Sequence, residues 1–244
     1  MTTVLKAIDD SPSDKDRFEF DIEIARSIVD YGRLLARRGL ICNSLGNIAV
    51  RAPHNSLSSD PVYTKHLGIS LEEMTIDQVV VTDIEEGALL YGTIPPSIGH
   101  QLNRAIFKSR SDVQAIIHTH PNVCISYFCA GAPQKLPMIS ADAALVIGAP
   151  PLVMDRSINL ELDTSLIPEV SKTTNVLIMP NHGVTTYGRS ISEAYHRMTT
   201  TVAELDRLFD AEVLAKARGT EVCLLSPDES RELFEAAGKV IYDD

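Results

Sequence analysis

Two apolar runs in this chain, AIIHTHP at residues 115–121 and NVLIMPNHG at 175–183, each end on histidine. Runs this short and this apolar predict strands buried within a sheet, and a strand turns alternate side chains to the same face. His118 and His120 therefore point together, with Ile117 and Thr119 on the opposite face. His182 stands at the end of the second run, just before Gly183. If the two strands are close neighbours, three imidazoles converge, a facial set suited to a catalytic divalent metal that keeps positions open for substrate. The chain must then fold so that these two strand ends meet.

The remaining segments predict strands covered by helices. Apolar residues at helical spacing mark a helix from Phe18 to Arg38, closed by Gly39. NIAVRA (47–52), VYTKH (62–66) and VVVTDI (79–84) read as strands, and a helix from His100 to Lys108 leads into the strand VQAIIHTH (113–120). A further helical stretch follows HTHP, then a weaker strand around ALVIGAPPLV. A long helix runs from Ser192 to about Arg218, its apolar stripe serving as core or subunit contact. Residues 1–16 read as a flexible N-terminal tail, and residues 17–244 as one α/β domain without repeats or linkers.

Composition excludes several classes of function. With 22 basic against 33 acidic residues, the net charge of −11 repels phosphate backbones, and no basic stripe reverses it, so nucleic acid is not an expected partner. No apolar run is long enough for a membrane span, and the start MTTVLKAIDDSPSDKDR is too polar for a secretory signal. The expected location is cytoplasmic. The four cysteines form no close-spaced pair and read as free thiols.

GNIAVR (46–51), PPS (95–97), AIIHTHP (115–121) and MPNHGV (179–184), in this order and spacing over about residues 20–220, resemble the class II aldolase/adducin family. The resemblance implies a three-layer α/β/α sandwich with a mainly antiparallel central sheet, assembled as a homotetramer with active sites near subunit interfaces. It implies that His118, His120 and His182 bind zinc or a similar cation, with manganese, cobalt or iron as alternatives. It also makes Gly46 and Asn47 a substrate-anchoring loop.

Departures from the family pattern carry as much information. Family aldolases place PSSE before the helix, and its Glu, an acid/base, precedes the first metal histidine by nineteen residues. Counting back from His118 reaches Gly99, within PPSIGHQ, and no Asp or Glu occurs between Gly87 and Ser111. The phosphate-binding TPSG turn is replaced by TKHLG (64–68), and one hydroxyl of the PSSE pair survives, at Ser97. Lys65 suits a carboxylate as a point charge, and His66 or His100 are candidate proton donors. Tyr242 is a further catalytic candidate, because some family members bring in a C-terminal tyrosine from the adjacent subunit. Arg51, Asp142 and Arg156 have no role that the sequence decides.

These losses favour one reaction over another. Aldol cleavage requires removal of a hydroxyl proton by a positioned base, whereas decarboxylation releases CO₂ without that step. The expectation is a divalent-metal-dependent carbon–carbon lyase acting on a small anionic hydroxy-carbonyl or hydroxyaryl carboxylate substrate through a metal-stabilised enolate, decarboxylation preferred. Retro-aldol cleavage of a sugar phosphate is the first alternative. A non-haem iron oxygenase and a non-catalytic adducin-like interaction module are the others.

Overall fold

The computed structural model describes residues 19–52, 60–131, 133 and 135–236. The tail expected at 1–16 and the candidate Tyr242 lie outside them. Eight strands form one sheet: β1 (Asn47–Arg51), β2 (Pro61–Lys65), β3 (Val79–Asp83), β4 (Leu89–Tyr91), β5 (Ala115–Thr119), β6 (Leu152–Val153), β7 (Val176–Met179) and β8 (Gly183–Gly188). Their order is β4-β3-β2-β1-β5-β8-β7-β6. All neighbours run antiparallel except β6 and β7.

Seven α-helices, α1 (Ile22–Arg37), α2 (His100–Ser109), α3 (Asn122–Cys129), α4 (Ala141–Ile147), α5 (Ile167–Val170), α6 (Ile191–Arg218) and α7 (Pro227–Ala236), and a 3₁₀ turn at Ile76–Gln78 accompany the sheet among the described residues. Strand alternation divides the core in two. Ile48, Ala115, Ile117, Val176 and Ile178 join the cluster on the side of α1, α4 and α6. Ala49, Ile116, Leu177 and Met179 join the cluster under α2 and α5. The result is the α/β/α sandwich with a mainly antiparallel sheet. By the same parity His118 falls on the α2 side, while Thr119 faces α6, where its hydroxyl lies 3.2 Å from Met198 Sδ. No helix among the described residues is long and apolar enough to cross a membrane.

Three segments differ from the sequence reading. ALVIGAPPLV is mostly helix: Ser140 caps α4 by accepting from Ala143 N, and Ala143, Ala144 and Ile147 are its buried positions. Gly148, at φ 84°, and the two prolines after it stop the helix, leaving Leu152–Val153 as a short strand. The GVTTYG segment is a fully buried central strand, β8, although two glycines and two threonines disguise it. Finally, MPNHG does not continue β7. The backbone turns through Pro180 and Asn181 (φ 61°), closed by His182 N donating to Met179 O at 3.1 Å. Pro suits the first central position of such a turn, and Asn tolerates the left-handed second one.

Candidate active site

The β7–β8 turn explains how distant histidines meet. β8 lies directly between β7 and β5, with Thr185 opposite His118 and Val184 opposite Thr119. His120 follows β5 at the same edge, and His182 occupies the tip of the hairpin beside it. Ring centroids stand 4.8 Å apart for His118 and His120, 5.1 Å for His118 and His182, and 4.9 Å for His120 and His182. One nitrogen from each ring lies within 4.8 Å of the other two.

Glycine makes this approach possible. A Cβ on Gly183 would overlap the Thr119 carbonyl oxygen and lie 2.6 Å from His120 Cδ2 and 3.3 Å from His118 Cε1. Gly46, at φ 82°, does the same for β1, because a side chain there would sit 2.9 Å from His118 O.

His118 and His120 are held as neutral ligands. His118 is 1% exposed, and burial first, then His120 and His182, hold its pKa well below the ordinary value. Burial followed by His182 lowers His120 to about 4. His118 Nδ1 lies 2.9 Å from Thr185 Oγ1. An N–H donated there leaves Nε2 with a lone pair facing the other rings, the tautomer that a cation requires.

The surrounding positions form a small cavity of about 100 Å³ that includes His120, Asn47, Lys65, Ser97 and Gly99. Asn47 opens β1 opposite His118. Its Oδ1 accepts from Asn103 Nδ2 at 2.7 Å, and its Nδ2 is turned toward Gly99. Lys65 is 1% exposed, not a solvated edge residue. Its Nζ donates to Ser44 O and Ile69 O, each at 2.7 Å, and burial lowers its pKa to about 8. Ser97 N donates to Lys65 O at 3.2 Å, which ties the PPS turn to β2. A larger cavity of about 560 Å³ beside Gly148 and Phe234 contains none of these groups, and ligand chemistry rather than volume identifies the site.

His66 and His100 are not brought into this cavity. His66 Nδ1 lies 2.7 Å from Leu67 O, and the ring borders a separate depression with Asp77 and Tyr91. His100 is buried on α2 and faces the β3–β4 turn, its Nε2 lying 2.9 Å from the place of a Cβ on Gly87. Burial, then Arg104, lowers His100 to about 4, with Asp83 opposing. Arg51 pairs with Asp60 and Phe107 O, and Asp142 with Arg207, all away from the histidines.

One group at the site was not anticipated. Glu161, in the loop between β6 and α5, lies on the cavity wall, with Oε2 3.5 Å from His182 Nε2 and Oε1 3.9 Å from His118 Nε2. Burial raises its pKa, and His182 opposes the rise. A Cβ on Gly99 would lie 2.6 Å from Glu161 Oε1. Nothing in local spacing connects residue 161 with the histidines. Asn103, by contrast, stands one helical turn after Gly99 and was readable as facing the same way.

The family model for the Class II Aldolase and Adducin N-terminal domain matches residues 26–206. An L-fuculose phosphate aldolase of Methanococcus maripaludis is 26% identical over 166 residues, covering 67% of this chain and 83% of that protein. The solved structure of an L-fuculose 1-phosphate aldolase superposes with a TM-score of 0.74 at 19% identity, covering 90% of this chain and 98% of that one. A sugar-phosphate aldolase from Thermotoga maritima gives a TM-score of 0.69 at 21% identity, covering 79% and 96%. The chain belongs to the class II aldolase and adducin family.

Proposed function

We propose that this protein is a divalent-metal-dependent carbon–carbon lyase acting on a small anionic hydroxy-carbonyl compound. The observation that carries this reading is the convergence of His118, His120 and His182 beside a cavity that also presents Lys65 and Asn47. Three converging imidazoles, with His118 Nδ1 set against the Thr185 hydroxyl, fit zinc, manganese, cobalt or iron, zinc first. When bound, such an ion supplies Lewis acidity toward a carbonyl oxygen. The chain's own groups do the rest. Lys65 holds the anionic end of the substrate, and Asn47 Nδ2, with its amide oriented by Asn103, donates to a substrate oxygen. The Ser97–Gly99 turn closes the wall beside them.

Glu161 alters the choice between reactions. Decarboxylation was preferred on sequence because no carboxylate accompanied the histidines. With Glu161 at the imidazole end of the cavity, a hydroxyl proton has an acceptor, and aldol-type cleavage takes first place. Decarboxylation is the second reading, supported by Lys65, whose single ammonium in place of a hydroxyl-rich turn suits a carboxylate. Association of copies is expected, and Phe209, Val213 and Leu214, exposed along α6, support it.

The test is elemental analysis of the purified protein together with a panel of sugar phosphates and hydroxyaryl carboxylates, scored anaerobically for aldehyde and for CO₂. Stoichiometric metal and aldehyde release are expected. Absence of bound metal, or turnover only with oxygen, refutes the lyase reading.

A further inference from the structure

We infer that Glu161 is the fourth protein ligand of the divalent ion in the substrate-free holoprotein, supplying from the β6–α5 loop the carboxylate that α2 does not supply at Gly99. The inference rests on the metal-centre reading above and adds to it a residue from an unrelated part of the chain.

Position is the first argument. The two carboxylate oxygens address different histidines, Oε2 facing His182 Nε2 at 3.5 Å and Oε1 facing His118 Nε2 at 3.9 Å. A carboxylate so placed borders the space that the imidazole nitrogens enclose.

Need is the second. The Glu161 side chain is only 15% exposed, and among the described residues no N–H or O–H group makes a hydrogen bond to it. A partly buried carboxylate without donors is unfavourable unless a cation faces it. A divalent ion held by the three imidazoles would face both carboxylate oxygens.

The loop also holds Glu161 in place before any ion arrives. Leu160 is fully buried in the core beneath α2. Glu161 N donates to Asn159 Oδ1 at 3.0 Å, while Leu162 N and Asp163 N donate to Asn159 O at 3.0 and 2.9 Å. Met154 N, bonded to Ile178 O at 2.8 Å, fixes the loop's start against β7. A ligand anchored on both sides loses little freedom on binding.

Gly99 supplies the independent observation. Its φ of −66° is ordinary for any residue, so the glycine is not required by the backbone. What it provides is room: a side chain there would start 2.6 Å from both Glu161 Oε1 and Asn47 Nδ2. Positions 99 and 161 thus reach one point from opposite sides, and a carboxylate at one excludes a side chain at the other.

The test uses full-length protein stripped with a chelator and titrated with Co(II) and Zn(II), comparing wild type, E161Q, E161A and G99E/E161A. Affinity is read by competition with a chromogenic chelator, geometry by the visible Co(II) spectrum, and folding by circular dichroism of the metal-free forms. E161Q keeps the side chain's shape, so a folding defect confined to E161A does not confuse the result. E161Q should weaken binding on the order of 10–100-fold and alter the Co(II) band. G99E/E161A should recover at least about tenfold of the affinity lost in E161A. E161Q binding within about threefold of wild type, with an unchanged spectrum, overturns the inference while leaving the three-histidine centre intact. A double variant as weak as E161A overturns the equivalence of the two positions. Wild type that binds neither ion refutes the metal centre itself.

Discussion

Replacing Thr185 with valine removes one oxygen from the centre of the sheet and almost no volume, so its effect isolates a single hydrogen bond. Thr185 Oγ1 lies 2.9 Å from His118 Nδ1, and the two residues are 0% and 1% exposed. In T185V the imidazole has two choices. It keeps its proton on Nδ1 and leaves a buried N–H without Oγ1, or it shifts the proton to Nε2 and loses the lone pair that a cation needs. The second choice relieves the metal-free protein, whose melting temperature should change little. Neither choice relieves the metal-bound protein. A buried donor left unsatisfied costs about 1–3 kcal/mol. That corresponds to roughly 5–150-fold weaker metal binding, since about 1.4 kcal/mol is tenfold. The Val184 backbone also favours a proton on His118 and offers an alternative acceptor, which sets the lower end of this range. T185S, which keeps the hydroxyl, should stay close to wild type. The measurement is chelator competition with Co(II) or Zn(II) at neutral pH. If T185V binds within about twofold of wild type while T185S does the same, then Thr185 does not set the tautomer and the reasoning fails.

Three further outcomes follow from the same geometry. K65M should raise KM for an anionic substrate by roughly 10–150-fold with a smaller change in kcat, the scale of one charged hydrogen bond, and wild-type KM should rise as pH passes about 8, where the folded-state ammonium is lost. G183A places a methyl group against the Thr119 carbonyl and His120, so overpacking of about 1–3 kcal/mol should lower Tm by roughly 2–12 °C in thermal denaturation, with weaker metal binding alongside. For His100, the folded pKa of about 4 lies below the unfolded value of 6.5, so the unfolded chain takes up a proton that the folded one refuses. Stability from this group is present above pH 6.5 and lost as pH falls toward 4; H100Q should flatten that part of the urea-midpoint profile, and equal slopes would count against it.

The parts of the site that were legible depend on short-range periodicity. Alternation along AIIHTH orders His118 and His120 on one face whatever the rest of the chain does, and β5 keeps that order. Asn47 was reached through the family resemblance of GNIAVR, and the structure sets it at the first position of β1, opposite His118. The hairpin tip was not. Pro180 and Asn181 make a tight turn, so His182 precedes β8 instead of ending β7, and β8 hid behind glycine and threonine, which carry little strand signal. His66 and His100 were placed by sequence proximity to the altered motif. Their actual directions follow from the Leu67 carbonyl and the β3–β4 turn, which lie beyond local pattern. Lys65 was singled out as a point charge for a carboxylate, but its burial was not readable from β2: the chain crossing at Ser44 and Ile69 covers it.

Glu161 shows why a missing residue in a motif is weak evidence for missing chemistry. Motif spacing describes positions along the chain, whereas a reaction needs an atom at a point in space. One edge of this sheet gathers the end of β5, the β7–β8 turn, the start of β1, the N-terminus of α2 and the β6–α5 loop, five segments from distant parts of the sequence. Any of them can deliver a side chain to the imidazoles. Loss of a carboxylate from α2 therefore does not empty the site; it leaves room that another segment can fill, provided its backbone is anchored and the vacated position is small. Leu160 provides the anchor and Gly99 the room. The step from Gly99 to decarboxylation was sound about the helix and incomplete about the site, because it treated one segment's contribution as the whole; with Glu161 present, the helix alone does not choose between decarboxylation and aldol-type cleavage.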